Sequence, residues 1–233
     1  MADFPYRNAL IVGAGTGISA SLARQLAGLG VKVALAARNG RKLDALTREI
    51  DGVAFSADSS DPKSVASLFE QATAQIGDPE IVVYNAAARA QGPLAELDPS
   101  TVQQSMGVTA FGGFLVVQQA ARCMLPQGRG AILLTGATAS VKGFAHSAAF
   151  AMGKFALRGL AQSAARELAP KGIHVAHFVI DGAIRAAHRP DPADKPDSTL
   201  DPDAIAQAYI DVLRQPRSAW SQEIELRPWV EHF

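Results

Sequence analysis

Short apolar runs alternate with longer amphipathic ones along the chain, the pattern of a parallel sheet covered by helices on both faces. The runs that read as strands are Ala9–Val12, Val31–Ala36, Gly52–Phe55, Ile81–Tyr84, Ala131–Thr135, His174–Ile180 and Glu223–Leu226. Between them, apolar residues recur at helical spacing in Ile18–Leu29, Gly40–Ile50, Lys63–Ile76, Thr101–Met124, Ala148–Leu168 and Ala204–Leu213. Asp61-Pro62, Asp98-Pro99 and Asp201-Pro202 each set a capping carboxylate before a proline suited to a first helical turn. The reading is an α/β protein in one domain, residues 1–233. The one break in the pattern runs from Arg189 to Pro202, where four prolines fall among aspartates; this predicts a surface loop, and 183–202 is expected to act as a substrate loop or flap.

Composition narrows the partner. Nearly half of the 233 residues are apolar, enough for a sizeable core. Lys plus Arg and Asp plus Glu number 22 each, and no stretch gathers the basic residues, so neither nucleic acid nor an anionic membrane is the expected partner. A small-molecule substrate is. Cys123 stands alone in a helical run, reads as packing, and permits no internal disulfide, which fits a reduced, cytoplasmic location. The first residues lack the features of a signal peptide, no apolar run approaches the ~20 residues of a membrane span, and no metal site is expected.

The densest chemistry is at the first turn. Leu10-Ile11-Val12 runs into Gly13-Ala14-Gly15-Thr16-Gly17-Ile18, and a helix follows. Glycines let the backbone turn sharply and approach an anion, while the free amides of a helix start point at it. Such a turn also serves tight packing alone, so its neighbours matter. At the end of the second strand stand Ala37 and Arg38, where a dehydrogenase preferring the unphosphorylated cofactor usually presents a carboxylate. Arg38 suits a 2′-phosphate, so the sequence leans toward NADP, with NAD as the other choice; the plainer reading is a solvated arginine opening the basic turn Arg38 to Lys42. Asp58 follows the third strand, where an adenine edge is met, and Asn85-Ala86 closes the fourth.

Taken in order, Gly13-x-x-x-Gly17-Ile18, Asp58, Tyr84-Asn85-Ala86-Ala87 and Phe150-x-x-x-Lys154 resemble the motifs of the short-chain dehydrogenase/reductase family across nearly the whole chain. The resemblance implies a single Rossmann-type domain with a doubly wound, seven-stranded parallel sheet. It also implies a nicotinamide cofactor over the strand ends and a homodimer or homotetramer, with the helices Thr101–Met124 and Ala148–Leu168 at the interface. Cofactor contacts then fall to Gly13, Gly15, Gly17, Ile18, Arg38, Asp58, Asn85, Ala86, Lys154 and the backbone near Ile184.

The catalytic pattern departs from the family's. Phe150 takes the place of the tyrosine that donates or accepts the proton, and only Lys154 survives. Counting back thirteen residues from Phe150 puts Ala137 at the serine position; Thr138 or Ser140 substitutes only if the loop shifts. The asparagine helix has no Asn, and Thr109 is the nearest match. Lys154 keeps a role at the ribose without the phenol, both residues lying on one helical face. Asp181, in Ile180-Asp181-Gly182, brings a carboxylate toward the nicotinamide end, and reads equally as an Asp-Gly turn bonded to its own backbone. His146 is a further loop candidate, and Tyr84 reads as packing beneath the cofactor. Three functions are open: an atypical NADP-dependent oxidoreductase taking its proton from water, Asp181, His146 or the substrate; a cofactor-binding pseudoenzyme acting as sensor, scaffold or inert subunit; and, least supported by the glycine turn and its neighbours, a structural Rossmann domain that binds nothing. The apolar tail Trp220–Phe233, with Trp229 near its end, is expected to dock on its own or a neighbouring subunit.

Overall fold

The structure, a computed structural model, describes residues 4–231. Its strands are β1 (Asn8–Val12), β2 (Lys32–Ala37), β3 (Val53–Ser56), β4 (Ile81–Tyr84), β5 (Gly130–Thr135), β6 (Ile173–Ile180) and β7 (Glu223–Leu226). They form one parallel sheet in the order β3-β2-β1-β4-β5-β6-β7. The helices are α1 (Ile18–Gly28), α2 (Asp44–Ile50), α3 (Pro62–Ile76), α4 (Pro99–Met106), α5 (Gly112–Met124), α6 (Ala148–Leu168) and α7 (Pro202–Leu213).

Every residue of β4, β5 and β6 is buried, which is why these strands read as unbroken apolar runs. Alternate side chains feed two cores. Leu10, Val82, Tyr84 and Leu134 face α3, α5 and α6 through Leu68, Val116 and Leu157. Ile11, Val83 and Leu133 face α1 and α7 through Leu22, Leu26, Ile205 and Tyr209. Each fully buried leucine contributes about 1.5–3 kcal/mol by leaving water. The Asp-Pro starts cap as predicted: Asp61 accepts from Lys63 N and Ser64 N, Asp98 from Thr101 N, and Asp201 from Asp203 N.

Val12 at the end of β1 pairs with Ala36 on one side and Tyr84 on the other. Strand order reverses here, and the connections leaving β1 and β4 diverge to opposite faces, opening a crevice at the carboxyl ends.

Two features differ from the sequence reading. The helix expected over Thr101–Met124 is split by a π-helical turn, Gly107–Phe111, which carries Thr109 into the protein interior. Gly153 of α6 packs on that turn, where a Cβ would stand 2.8 Å from the Thr109 Cβ. The helical run Pro99–Gln127 is also long and apolar enough, by length and composition, to cross a bilayer, with a mean hydropathy of 1.3. This corrects the expectation that no run approaches a membrane span. Here Val116, Ala120 and Met124 spend that apolarity on the core.

The loop 183–202 is tied at its base, Leu200 N–H donating to Ala183 O and Arg185 N–H to Leu200 O, both at 2.8 Å. Inside it the Arg185 guanidinium pairs with Asp191, Asp197 and Asp201, and Asp191 also accepts from Thr199. Of the tail, Trp220 stacks on His174 at 4.6 Å and Trp229 Nε1 donates to the Pro196 carbonyl at 3.2 Å, so the described part docks on its own chain. Phe233 lies outside the described residues.

Candidate functional site

The glycine turn is braced from both sides. Gly13 has a φ of +85°, and a Cβ there would fall 2.3 Å from the Ala86 backbone nitrogen, so no other residue fits without displacing the end of β4. The N–H groups of Gly13 and Ala14 both donate to the Ala36 carbonyl at 2.9 Å, fixing the turn to β2. Asn85 Nδ2 donates to Ser19 Oγ at 2.7 Å, and Ser19 Oγ in turn donates to the Gly13 carbonyl at 3.4 Å. Gly15 and Gly17 face open space where a Cβ would stand. Gly17 caps α1 without a side-chain hydrogen bond, no acidic residue sits in the first turn, and Ile18 anchors the helix start in the core. The helix therefore presents unpaired amides and the positive end of its dipole to the crevice.

That crevice is a cleft of about 870 Å³ running from the glycine turn past the end of β2 and along α2. The charged residues lining it are Arg24, Arg38, Lys42 and Glu49, three cations to one anion. Glu49 is already taken by a bidentate pair with Arg24 at 2.6 and 3.0 Å. Arg38 is exposed beside Ala37 at the end of β2. Asp58 is exposed between two lining residues, Ala57 and Ser59; hydrogen bonds from Ser60, more than the nearby Arg38, hold its carboxyl below the usual range.

Beyond the residues that line this cleft, β5, α6 and the loop after β4 meet. Phe150 is buried on the first turn of α6, and Lys154 stands one turn on, 3 % exposed, its ammonium donating to the Thr135 carbonyl at 2.6 Å. Burial, and secondarily the positive charge of Arg89, pushes the Lys154 amine down to about 7. The Arg89 guanidinium lies 4.4 Å above the centre of the Phe150 ring, and Lys154 Nζ is 5.8 Å from the same centre. Ala137 precedes the short helical turn that Thr138 opens, and Thr109 is buried on the π-turn packed against Gly153. Ser140 does not replace the serine, because its buried hydroxyl accepts from Ala137 N–H at 3.1 Å. Thr138 opens the following short helical turn half-buried, its hydroxyl without a hydrogen-bond partner among the described residues.

Asp181 is 2 % exposed; its Oδ2 is ion-paired to Arg227 at 3.2 Å beside β7, while its Oδ1 is buried without a hydrogen-bond partner. His146 is exposed at a positive φ of 61°. Tyr84 is fully buried; its hydroxyl donates to the Val108 carbonyl of the π-turn, lies 3.2 Å from Ser59 Oγ, and is pushed up to about 12 by burial. Ile184 is half-buried at the root of the 183–202 loop, in a bridge with Leu200.

Gly13, Gly15, Arg38, Asn85 and Ala86 thus share the cleft, with Gly17 and Ile18 at its helix, while Phe150 and Lys154 meet each other outside its lining. Two side chains take parts that the sequence left unassigned. Ser19 ends the glycine turn, and only its spacing from Gly13 marks it as a brace. The loop around Arg89 is one that the sequence expects to shape the pocket, but the place of the guanidinium over Phe150 depends on a loop conformation that the local sequence does not advertise.

Sheet order and crevice together define the class: an α/β protein built around a dinucleotide cleft at its switch point. Within that class the chain belongs to the short-chain dehydrogenase family, whose profile, described as short chain dehydrogenase, matches residues 7–191. It is 30% identical over 229 residues to an uncharacterised oxidoreductase of Staphylococcus aureus, covering 94% of this chain and 96% of that one. A solved short-chain dehydrogenase from Rhodopseudomonas palustris is 36% identical with a TM-score of 0.83, over 96% of this chain and 99% of the other. A metagenomic short-chain oxidoreductase solved in complex with NADP is 28% identical with a TM-score of 0.83, over 96% and 98%. The family comprises oxidoreductases that bind NAD or NADP and act on small molecules.

Proposed function

We propose that this chain is an NADP-preferring oxidoreductase that passes hydride to or from a small substrate without the tyrosine its family uses. The observation that carries the reading is the charge of the cleft: Arg38 and Lys42 line it beyond the end of β2, and its one lining carboxylate, Glu49, is neutralised by Arg24. A 2′-phosphate gains charge-assisted hydrogen bonds there, and no lining carboxylate remains for an unphosphorylated ribose. The open space at Gly15 and Gly17 and the uncapped start of α1 suit a pyrophosphate. Asn85 and Ala86 shape the cleft wall, Asp58 serves the adenine edge, Lys154 serves the nicotinamide ribose and the backbone near Ile184 the carboxamide. When bound, the nicotinamide supplies or accepts the hydride.

With Phe150 apolar and His146 exposed on its loop, the proton is assigned to Lys154 Nζ, whose value near 7 suits proton transfer at neutral pH. A general acid typically contributes ~10²–10⁴ in rate, so substrates needing little protonation, such as quinones, imines and activated alkenes, are favoured over simple ketones. The half-buried Thr138 hydroxyl and the 183–202 loop flank the substrate side. Assembly as a homodimer or homotetramer through α5 and α6 accounts for Phe111, Phe114, Met152 and Phe155, large apolar side chains left exposed on and beside these helices.

The test is a titration with NADPH and NADH followed by a panel of those electrophiles. Tighter NADPH binding with turnover of one of them supports the reading, and preferred binding of NADH overturns the cofactor assignment. The simultaneous replacement of three proton-relay residues, by Phe150, Ala137 and Thr109, favours a second reading, a cofactor-binding pseudoenzyme acting as sensor, scaffold or inert subunit. Tight NADPH binding without turnover across the panel, coupled to a cofactor-dependent change in assembly, decides for it.

A further inference from the structure

The Arg89 side chain is exposed, but the backbone on either side of it is fixed. Both backbone groups of the preceding residue are pinned: Ala88 N–H donates to Thr109 Oγ1 at 3.0 Å, and the Ala88 carbonyl accepts from Ser105 Oγ at 2.9 Å and from Thr109 Oγ1 at 3.3 Å. Three residues after Arg89, Gly92 N–H donates to the His146 carbonyl at 3.1 Å, tying this loop to the one that leads into α6. Arg89 therefore sits over Phe150 because the π-turn, through Thr109, sets the backbone that carries it.

Its chemistry is unspent. The ring of Phe150 uses one face of the guanidinium, and a stacked guanidinium keeps its edge N–H groups for bidentate pairing in its own plane. Among the described residues no hydrogen bond or ion pair engages Arg89, and it does not line the cleft beside the glycine turn. Arg89 and, where it is protonated, Lys154 thus place positive charge about one phenyl ring with no carboxylate paired to either among the described residues. Like charges so placed disfavour one another, and an anion entering beside them relieves both.

From this we propose that the substrate carries a carboxylate and that Arg89 is the residue that binds it, at the edge of the Phe150 ring. The inference rests on the reading of the cleft as a cofactor site and adds the substrate class. Thr109 is then a positioning residue for Arg89, a task an inward hydroxyl performs without any proton relay. Recognition of the charged group orients the substrate beside Phe150, where the ordinary hydroxyl donors are missing.

The experiment is calorimetry on the full chain saturated with NADP, using benzoate, pyruvate and malonate as probes, each against its primary amide. At least one carboxylate should bind roughly tenfold or more tightly than its amide, the scale of a charge-assisted hydrogen-bond pair. Arg89→Gln should remove that preference and leave NADPH affinity unchanged, and Arg89→Lys should retain part of it. The inference is overturned if no carboxylate is preferred, if the preference survives Arg89→Gln, or if Arg89→Gln weakens NADPH itself, which would assign the guanidinium to the cofactor. A separate NADPH titration of the unaltered chain distinguishes the two levels: its failure removes the cofactor reading and this one together, whereas NADPH binding without charge discrimination removes this one alone.

Discussion

At the β1–β2 end of the cleft the chain keeps what an anionic nucleotide needs: Gly13 against Ala86, open glycines at the start of α1, and Arg38 and Lys42 beyond Ala37. Around α6, the Lys154 amine is buried and shares the ring of Phe150 with the Arg89 guanidinium, and no ionic side-chain partner reaches either among the described residues. The difference is one of constraint. Holding a dinucleotide is a backbone task shared among β1, β2, β4 and α1, and losing it would disturb the sheet ends. Proton delivery is a task of individual side chains, which can be exchanged while the helix beneath them stays intact.

The largest effect should come from Gly13→Val. Its φ of +85° and the 2.3 Å approach to Ala86 leave no room for a side chain, so NADPH binding should fall beyond detection and the melting temperature should drop. Retention of binding would mean that the turn is not the phosphate cradle. Next, Arg38→Ala should cost roughly ten- to a hundredfold in NADPH affinity while leaving NADH within about threefold, read by fluorescence titration. Equal losses for both cofactors would blur the line between cleft end and phosphate recognition.

Lys154 sharpens the contrast through pH. Its folded value of about 7 lies below the ordinary 10.5, so between these limits the unfolded chain binds a proton that the folded chain does not. Stability should therefore rise with pH through that window, the gain being complete above the unfolded value and absent below the folded one. Denaturant unfolding of Lys154→Met should lack this rise; an unchanged profile would place the titration elsewhere. The smallest effect belongs to Phe150→Tyr, which should change turnover by less than about threefold, because Ala137 and Thr109 still offer no polarising hydroxyl at the serine position and no asparagine. A gain approaching ~10² would show that the phenol alone was missing.

The sheet was legible in the sequence because its strands are written twice over, as apolar runs buried on both faces and as turns between them; each observed strand lies within a residue of its predicted span. The Asp-Pro caps were legible because a cap is local. The π-turn was not: Gly107–Phe111 continues the apolar periodicity of its helix, and one wider turn changes no composition. Asp181 was drawn to the nicotinamide end by its place after β6, whereas the partner that holds it, Arg227, arrives from beyond β7, 46 residues later. The loop around Arg89 was legible as a pocket loop, but its contact with Phe150 was not, since the groups that fix that loop come from Ser105, Thr109 and His146.

The bond from Trp229 to the Pro196 carbonyl gives the chain an optical gauge. Its indole is 72 % exposed and tethered to the loop expected to border the substrate, whereas Trp220, the other indole of the chain, is stacked on His174. Emission from position 229 therefore follows that loop against a steady background, so ligand arrival can be timed without attaching a dye.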